Sequence, residues 1–118
     1  EDVMIEADEF HLSNIAYNLL DNAVKYCDTV PEIVIRLKRV KQFVQLDFVD
    51  NGMGIDKKHL AYIFDKFYRA PGSKSNAVNG FGLGLYYVRK ICLLHGWKIS
   101  AVNNPVKGIS VSLSIPTA

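Results

Sequence analysis

Three glycines at alternate positions, Gly80, Gly82 and Gly84, lead into an apolar segment with helical character at residues 86–95. Glycine lets the backbone adopt a positive φ and approach a ligand closely. A helix start adds unpaired N–H groups and the positive end of the helix dipole, which attract phosphate. Alone, the stretch fits either a phosphate-binding loop or a flexible turn. It is neither a Walker loop nor a dinucleotide-binding fingerprint.

Asn18, Asn22 and Lys25 are spaced four and three residues apart, so they share one face of a predicted helix, beside its apolar stripe. Asparagine is a mediocre helix former, and two of them in mid-helix require an explanation. Their amide oxygens suit a Mg²⁺ ion that keeps several waters, and Lys25 supplies a charge for phosphate. The alternative is two exposed or locally hydrogen-bonded asparagines and a solvated lysine. This segment alone does not decide.

Asp50 lies where a predicted strand runs into Gly52 and Gly54. A carboxylate in this position can accept a hydrogen bond from an exocyclic amine, while the glycine backbone comes close to a flat ring. An ordinary Asp-Asn-Gly turn is the alternative, and such turns are common.

These residues are positioned by elements that the hydrophobic pattern predicts. Asp8 is a plausible N-cap for a long helix that ends near Tyr26. The other expected elements are a short edge strand at 3–5, strands at 33–38 and 44–49, a short helix at 57–67, a second long helix at 86–95 and two closing strands, the last at 109–115. We therefore expect an α+β two-layer sandwich, with a mixed, mostly antiparallel sheet and about three helices on one face.

The composition is that of an ordinary soluble globular domain, with 118 residues, 49% apolar and 22% charged. A net charge of +2 does not favour nucleic acid or a membrane surface as a partner. The basic cluster of Arg36, Lys38, Arg39 and Lys41 is expected to be a solvated strand edge. The two cysteines are expected to be reduced structural residues, compatible with a cytosolic compartment.

Four segments together resemble the motifs of the catalytic and ATP-binding domain of two-component sensor histidine kinases, within the GHKL superfamily. They are the N box at 18–26 (Asn-Leu-Leu-Asp-Asn-Ala-Val-Lys-Tyr), the first glycine box at 50–55 (Asp-Asn-Gly-Met-Gly-Ile), the F box at 63–69 (Ile-Phe-Asp-Lys-Phe-Tyr-Arg) and the second glycine box at 80–85 (Gly-Phe-Gly-Leu-Gly-Leu). They occur in the family's order and spacing, which is far more specific than any one motif. The resemblance implies the Bergerat (GHKL) fold, an α/β sandwich.

At the phosphate end, the resemblance implies that Asn22, with Asn18 beside it, ligates Mg²⁺ and that Lys25 contacts phosphate oxygens of ATP. Arg69 would move toward the γ-phosphate during transfer and stabilise its charge, as phosphoryl transfer requires. The glycine run would close a short lid that begins at Arg69 and present N–H groups to phosphate. Its implied nucleotide-binding residues are Gly80, Gly82, Leu83, Gly84 and Leu85.

At the adenine end, the resemblance implies that Asp50 accepts a hydrogen bond from the adenine amine, which selects ATP over GTP. Gly52 and Gly54 would leave room for the base. Further implied nucleotide-binding residues are Tyr26, Ile55, Phe64 and Phe67, the two phenylalanines at the base of the lid.

The resemblance treats residues 1–118 as one catalytic domain, expected to be monomeric in isolation and cut from a longer protein. No histidine is followed by an acidic residue, so the phosphoacceptor box is expected on a separate dimerisation domain. The implied partners are that domain and a downstream response regulator, and neither nucleic acid nor a membrane span of its own is expected. A cytoplasmic location is implied, compatible with an inner-membrane anchor in the parent protein. Trp97 replaces a usual family glycine, which is expected to affect packing.

Other readings within the superfamily remain open. Gyrase-type, mismatch-repair and heat-shock ATPases carry a glutamate one turn before the metal-binding asparagine, where it acts as a general base for water. Asn18 occupies that position here, and an amide cannot accept a proton at neutral pH. An anti-sigma-type serine kinase and a non-catalytic ATP-binding regulator are the remaining alternatives.

Overall fold

The computed structural model describes residues 4–25, 27–65 and 84–117. In chain order the elements are helix α1 (Glu9–Lys25), strands β1 (Ile33–Val40) and β2 (Phe43–Asp50), a 3₁₀ helix (Lys57–Tyr62), helix α2 (Gly84–His95), and strands β3 (Lys98–Asn103) and β4 (Ile109–Pro116). The expected α+β sandwich is therefore confirmed.

The four strands form one sheet in the order β1-β2-β4-β3, and every neighbouring pair is antiparallel. The sequence predicts a mixed, mostly antiparallel sheet. Within the described residues every strand pair of the sheet is antiparallel. Of the predicted first strand at 3–5, position 3 lies outside the described residues, and the rest shows a single antiparallel bridge between Ile5 and Thr117.

The core lies between the sheet and the two α-helices. Ile15 and Leu19 of α1 and Val88 and Ile91 of α2 are buried against the inward positions of the sheet. Those positions alternate along β4, because Val111, Leu113 and Ile115 are buried and the intervening serines are not. The strand alternation and the helical spacing of apolar residues therefore predict the two faces that form this core.

The start of α1 and the end of α2 have identifiable caps. The Asp8 carboxylate accepts from the His11 N–H at 3.1 Å, so Asp8 is the N-cap predicted for α1. At the end of α2, Gly96 has a φ of 74°, the Trp97 N–H donates to the Cys92 carbonyl, and the Gly96 N–H donates to the Leu93 carbonyl. This Schellman arrangement turns the chain and places Trp97 in the core, which confirms a packing role for that residue.

Strand β1 is an edge of the sheet and is exposed along nearly its whole length. By register, Ile35 and Leu37 pair with Phe48 and Leu46 on the helix-covered face, yet they are 52% and 61% exposed. The basic cluster around them is exposed as well, as expected for a solvated strand edge.

The helix predicted at 57–67 is a single 3₁₀ element over Lys57–Tyr62 in the described part of the chain. The Asp56 carboxylate caps it by accepting from the Lys58 N–H at 3.2 Å. Ile63 follows it and is buried, so the segment is attached to the body of the domain.

Candidate functional site

The start of α2 lies directly against the polar face of α1. A Cβ built at Gly84 would stand 3.1 Å from Asn18 Oδ1 and 3.5 Å from Asn22 Nδ2. Only a residue without a Cβ lets the two helices approach this closely without a shift of the asparagines. The last glycine of the run and both asparagines, predicted as one site from separate motifs, are therefore neighbours in space.

The amide of Asn18 is oriented by its own helix. Its Nδ2 donates to the Asn14 carbonyl at 2.8 Å, and this directs the nitrogen along α1. Its Oδ1 faces Gly84 instead. The local hydrogen bonding that was the alternative explanation for Asn18 is thus real, but it uses only the nitrogen and leaves the oxygen available as a ligand.

Lys25 is paired within its helix. Its Nζ lies 2.8 Å from the Asp21 carboxylate one turn earlier, and both side chains are partly buried. A phosphate near the end of α1 would therefore compete with Asp21 for this ammonium group. The side chain of Leu85, at the start of α2, packs against the core. It therefore has a structural role, whether or not its backbone contacts a ligand.

Asp50 is held by its surroundings through one oxygen. Its Oδ1 accepts from the Gly52 N–H at 2.9 Å and from the Ile109 N–H at 3.1 Å. The first bond is the ordinary turn interaction, and the second fixes the carboxylate from strand β4. Within the described residues its Oδ2 has no protein donor, so one acceptor with a fixed direction remains open.

The turn between β3 and β4 packs against the main chain of Asp50. Gly108 has a φ of 91°, and a Cβ there would lie 1.9 Å from the Asp50 carbonyl oxygen. Asn104 Nδ2 donates to that same oxygen at 2.9 Å. Asn103 accepts from the Ile55 N–H at 2.9 Å and donates to the Ile55 carbonyl, which fixes the loop that follows Asp50.

Sequence reasoning missed Asn103, Asn104 and Gly108. Their Asn-Asn-Pro and Gly signals predict a turn, which is correct, since the turn joins β3 to β4. The contact with Asp50 is more than fifty positions away in sequence and depends on the pairing of β2 with β4. No local pattern carries that information.

A polar cavity of about 270 Å³ opens between this turn and the loop after Asp50. Its lining includes the predicted residues Gly54 and Ile55 but no residue of α1 or α2, and it is formed by Met53, Gly54, Ile55, Asp56, Asn103, Asn104, Val106, Lys107 and Gly108. The cavity is thus a space beside the loop after Asp50 and is separate from the contact between Gly84 and the asparagines of α1.

Asn51, directly after β2, is hydrogen-bonded to the segment that joins α1 to β1. Its Oδ1 accepts from the Glu32 N–H at 2.8 Å, and its Nδ2 donates to the Val30 carbonyl at 3.0 Å. Lys107 Nζ also lies 2.8 Å from the Asp28 carboxylate, to which it donates a hydrogen bond. This hydrogen bond raises the pKa of Lys107. These bonds join the segment between α1 and β1 to the residue after Asp50 and to the β3–β4 turn.

Several predicted site residues lie outside the described part of the chain, namely Tyr26, Phe67, Arg69, Gly80, Gly82 and Leu83. Phe64 is described and half-buried. Next to it, the Asp65 carboxylate lies 3.6 Å from the Arg89 guanidinium of α2. The described start of the F box is therefore attached to the helix that carries Gly84.

The described residues show neither a membrane span nor a cluster typical of a metal site. No helix among them combines the length and apolar character needed to cross a bilayer. No three acidic, histidine or cysteine side chains in the same ranges converge on a metal site. Cys27 and Cys92 are free thiols, as expected, and burial raises the pKa of Cys92 to about 11.

Comparison with known proteins gives a consistent result. The chain is 38% identical over 115 residues to the sensor protein RprX of Bacteroides fragilis, which covers 96% of this chain and 22% of that protein. The solved structure of the mycobacterial sensor histidine kinase MprB superposes with a TM-score of 0.87 at 26% identity, covering 96% of this chain and 76% of that one. Full-length ShkA, solved in complex with AMPPNP, shares the fold with a TM-score of 0.82 at 24% identity, over 99% of this chain and 24% of that one.

The chain spans under a quarter of the length of RprX. Residues 7–118 match the family described as histidine kinase-, DNA gyrase B-, and HSP90-like ATPase. With four motifs in order, the sandwich fold and a match over nearly its whole length, the chain belongs to this family of ATPase domains.

Proposed function

We propose that this domain binds Mg-ATP and transfers the γ-phosphate to a histidine on a separate dimerisation domain, in two-component signalling. The observation that carries the proposal is the contact of Gly84 with Asn18 and Asn22, which joins two motifs of the chain into one polar site. The names of RprX and MprB, a sensor protein and a sensor histidine kinase, favour this member of the family over the others.

The phosphate end fits a magnesium-bound triphosphate. Asn18 Oδ1 and the amide of Asn22 would hold Mg²⁺ as neutral oxygen ligands, and the ion would supply charge neutralisation on the phosphates. The N–H groups in the first turn of α2, next to these amides, would donate to phosphate oxygens. Lys25 would exchange Asp21 for phosphate, and Arg69 would stabilise the charge on the transferred group.

The base end fits adenine. The open Oδ2 of Asp50 would accept from the exocyclic amine, while Gly52, Gly54 and Ile55 would face the ring. A guanine carbonyl at the same place would meet the carboxylate with two acceptors opposed, which disfavours GTP. Tyr26, Phe64 and Phe67 complete the proposed pocket, with Gly80, Gly82 and Leu83 in the lid.

Water is not the proposed acceptor. A hydrolase of the gyrase type needs a general base one turn before the metal-binding asparagine. That position holds Asn18, whose nitrogen is already committed to Asn14. We therefore place the acceptor histidine, and the response regulator that receives the phosphate next, in other proteins or other parts of the parent chain. Residues 1–118 would be one monomeric catalytic domain at the cytoplasmic side of a sensor anchored in the inner membrane.

Base recognition is tested with Asp50→Asn. The asparagine keeps an oxygen for the Gly52 and Ile109 amides but presents an NH₂ group toward the adenine amine. ATP affinity should fall by about tenfold or more, because a hydrogen bond to a charged group contributes about 1.5–3 kcal/mol. Asp47→Asn is the matched control, since Asp47 lies on the same strand and bonds only to Gln45 among the described side chains. Equal affinity in both variants would remove Asp50 from the pocket.

The reaction itself is tested by mixing the domain with its cognate dimerisation domain and γ-labelled ATP. The expected product is an acid-labile phosphohistidine on the dimerisation domain, with hydrolysis by the isolated domain near background. Steady hydrolysis without a partner would favour a gyrase-like ATPase. ATP binding without label on any partner would favour a regulator, and acid-stable phosphoserine an anti-sigma-type kinase.

A further inference from the structure

Two parts of Asp50 are held by the turn between β3 and β4. The Ile109 N–H donates to its side-chain Oδ1 at 3.1 Å, and Asn104 Nδ2 donates to its main-chain oxygen at 2.9 Å. Both bonds come from one short segment, so the position of the Asp50 carboxylate depends on how rigid that segment is.

Asn104 makes several hydrogen bonds within this segment. Besides the bond to Asp50, its Nδ2 donates to the Lys107 carbonyl at 3.2 Å, and its Oδ1 accepts from the Ser110 hydroxyl. Its backbone N–H donates to the Gly108 carbonyl at 2.9 Å. A side-chain amide uses its donors and its acceptor at once here, which neither a carboxylate nor an apolar side chain of similar size can do.

We propose that Asn104 is a positioning residue for base recognition, which fixes the main chain of Asp50 so that its free carboxylate oxygen points at the 6-amino group of adenine. The proposal rests on the proposed function, since it assumes that Asp50 reads that amine. A recognition group must be held within about 0.5 Å of its productive geometry, and the bond from Asn104 to the Asp50 main chain supplies such an anchor.

The alternative is that Asn104 only stabilises the turn. The two roles differ in what they do to ligands that lack the amine. A residue that orients the carboxylate changes the contribution of the 6-amino group. A residue that only stabilises the turn changes the affinities for all purine nucleotides alike, or changes stability alone.

The experiment measures dissociation constants by calorimetry for ATP and for purine riboside triphosphate, which lacks the 6-amino group. We expect the natural protein to prefer ATP by roughly tenfold, the contribution of one hydrogen bond to a charged group. In Asn104→Ala this preference should fall below about threefold, while the affinity for the analogue stays within about twofold of the natural value. Equal weakening of both ligands, or an unchanged preference, overturns the proposal.

A conservative variant and a distant control separate the role of Asn104 from a general loss of folding. Asn104→Asp keeps the side-chain volume and the acceptor for Ser110 and removes the donors to Asp50, so it should lose the preference even where the alanine variant does not fold. Gly96→Ala perturbs the fold far from the site and should keep the preference. A preference retained in Asn104→Asp contradicts the role of Asn104. No preference in the natural protein contradicts base reading by Asp50 and so the proposed function itself.

Discussion

Replacement of Gly108 by alanine tests the packing of the β3–β4 turn on Asp50. The new Cβ would lie 1.9 Å from the Asp50 carbonyl oxygen and 2.7 Å from its carbonyl carbon. Real Cβ contacts are not shorter than about 3.0 Å, and a backbone atom cannot rotate away, so the turn must retreat by about 1 Å. This retreat weakens both hydrogen bonds that hold Asp50.

The expected cost has two parts. Alanine at a φ of 91° carries a conformational strain of about 1–2 kcal/mol. Forced repacking adds about 1–3 kcal/mol. The free energy of unfolding should therefore fall by about 2–5 kcal/mol, a large share of the about 5–15 kcal/mol that such domains possess. The melting temperature should drop by about 8–20 °C at roughly 4 °C per kcal/mol.

Gly96→Ala is the matched control, because Gly96 also has a positive φ of 74° but no atom within 4 Å of the point that a Cβ would occupy. It should lose only the conformational part, about 1–2 kcal/mol. Urea and thermal unfolding followed by circular dichroism give both values. A loss for Gly108→Ala that does not exceed the loss for Gly96→Ala would refute the steric reasoning.

Two further predictions concern thiols and the Asn51 links. Because burial raises the pKa of Cys92 to about 11, only about 0.1% of it is thiolate at pH 8, so iodoacetamide should label Cys27 first in the folded protein. Labelling of Cys92 should rise with pH toward 11 or on unfolding, and mass spectrometry that finds equal rates at pH 8 would contradict its burial. Asn51→Ala should lower the free energy of unfolding by about 1–3 kcal/mol in urea, since it leaves the Glu32 N–H and the Val30 carbonyl without their partner. Asn14→Ala, which removes one exposed hydrogen bond to the Phe10 carbonyl within α1, should change it by less than about 1 kcal/mol, and equal losses would exclude a structural role for Asn51.

The elements could be predicted from the sequence because each depends on local periodicity and capping. Asp8 begins α1 as expected, and the alternation of β4 predicts its buried face correctly. The pattern predicts the start of α2 two residues late, at Tyr86 instead of Gly84. Glycine has a low helix propensity, and here the approach to Asn18 and Asn22 outweighs it.

The parts of the candidate site that lie within local sequence motifs could be predicted, and the parts that depend on tertiary contacts could not. The glycine-rich turn after Asp50 indicates a site residue from the sequence alone. The second donor to its Oδ1 is the N–H of Ile109 on another strand, which the sequence does not reveal. Helical spacing predicts that Lys25 shares the face of Asn18 and Asn22 and could supply a charge for phosphate. The structure adds a pairing of Lys25 with Asp21, a helical neighbour at i−4. Such pairings depend on rotamers and packing, which spacing alone does not specify.

The exposed edge strand β1 also bears on how the domain behaves at high concentration. A sheet edge with exposed Ile35 and Leu37 is a template on which another chain can add a strand and start aggregation. Arg36, Lys38 and Arg39 lie along the same strand, so two copies that approach edge to edge bring like charges together. These basic residues are therefore well placed to keep the domain from polymerising through its own sheet.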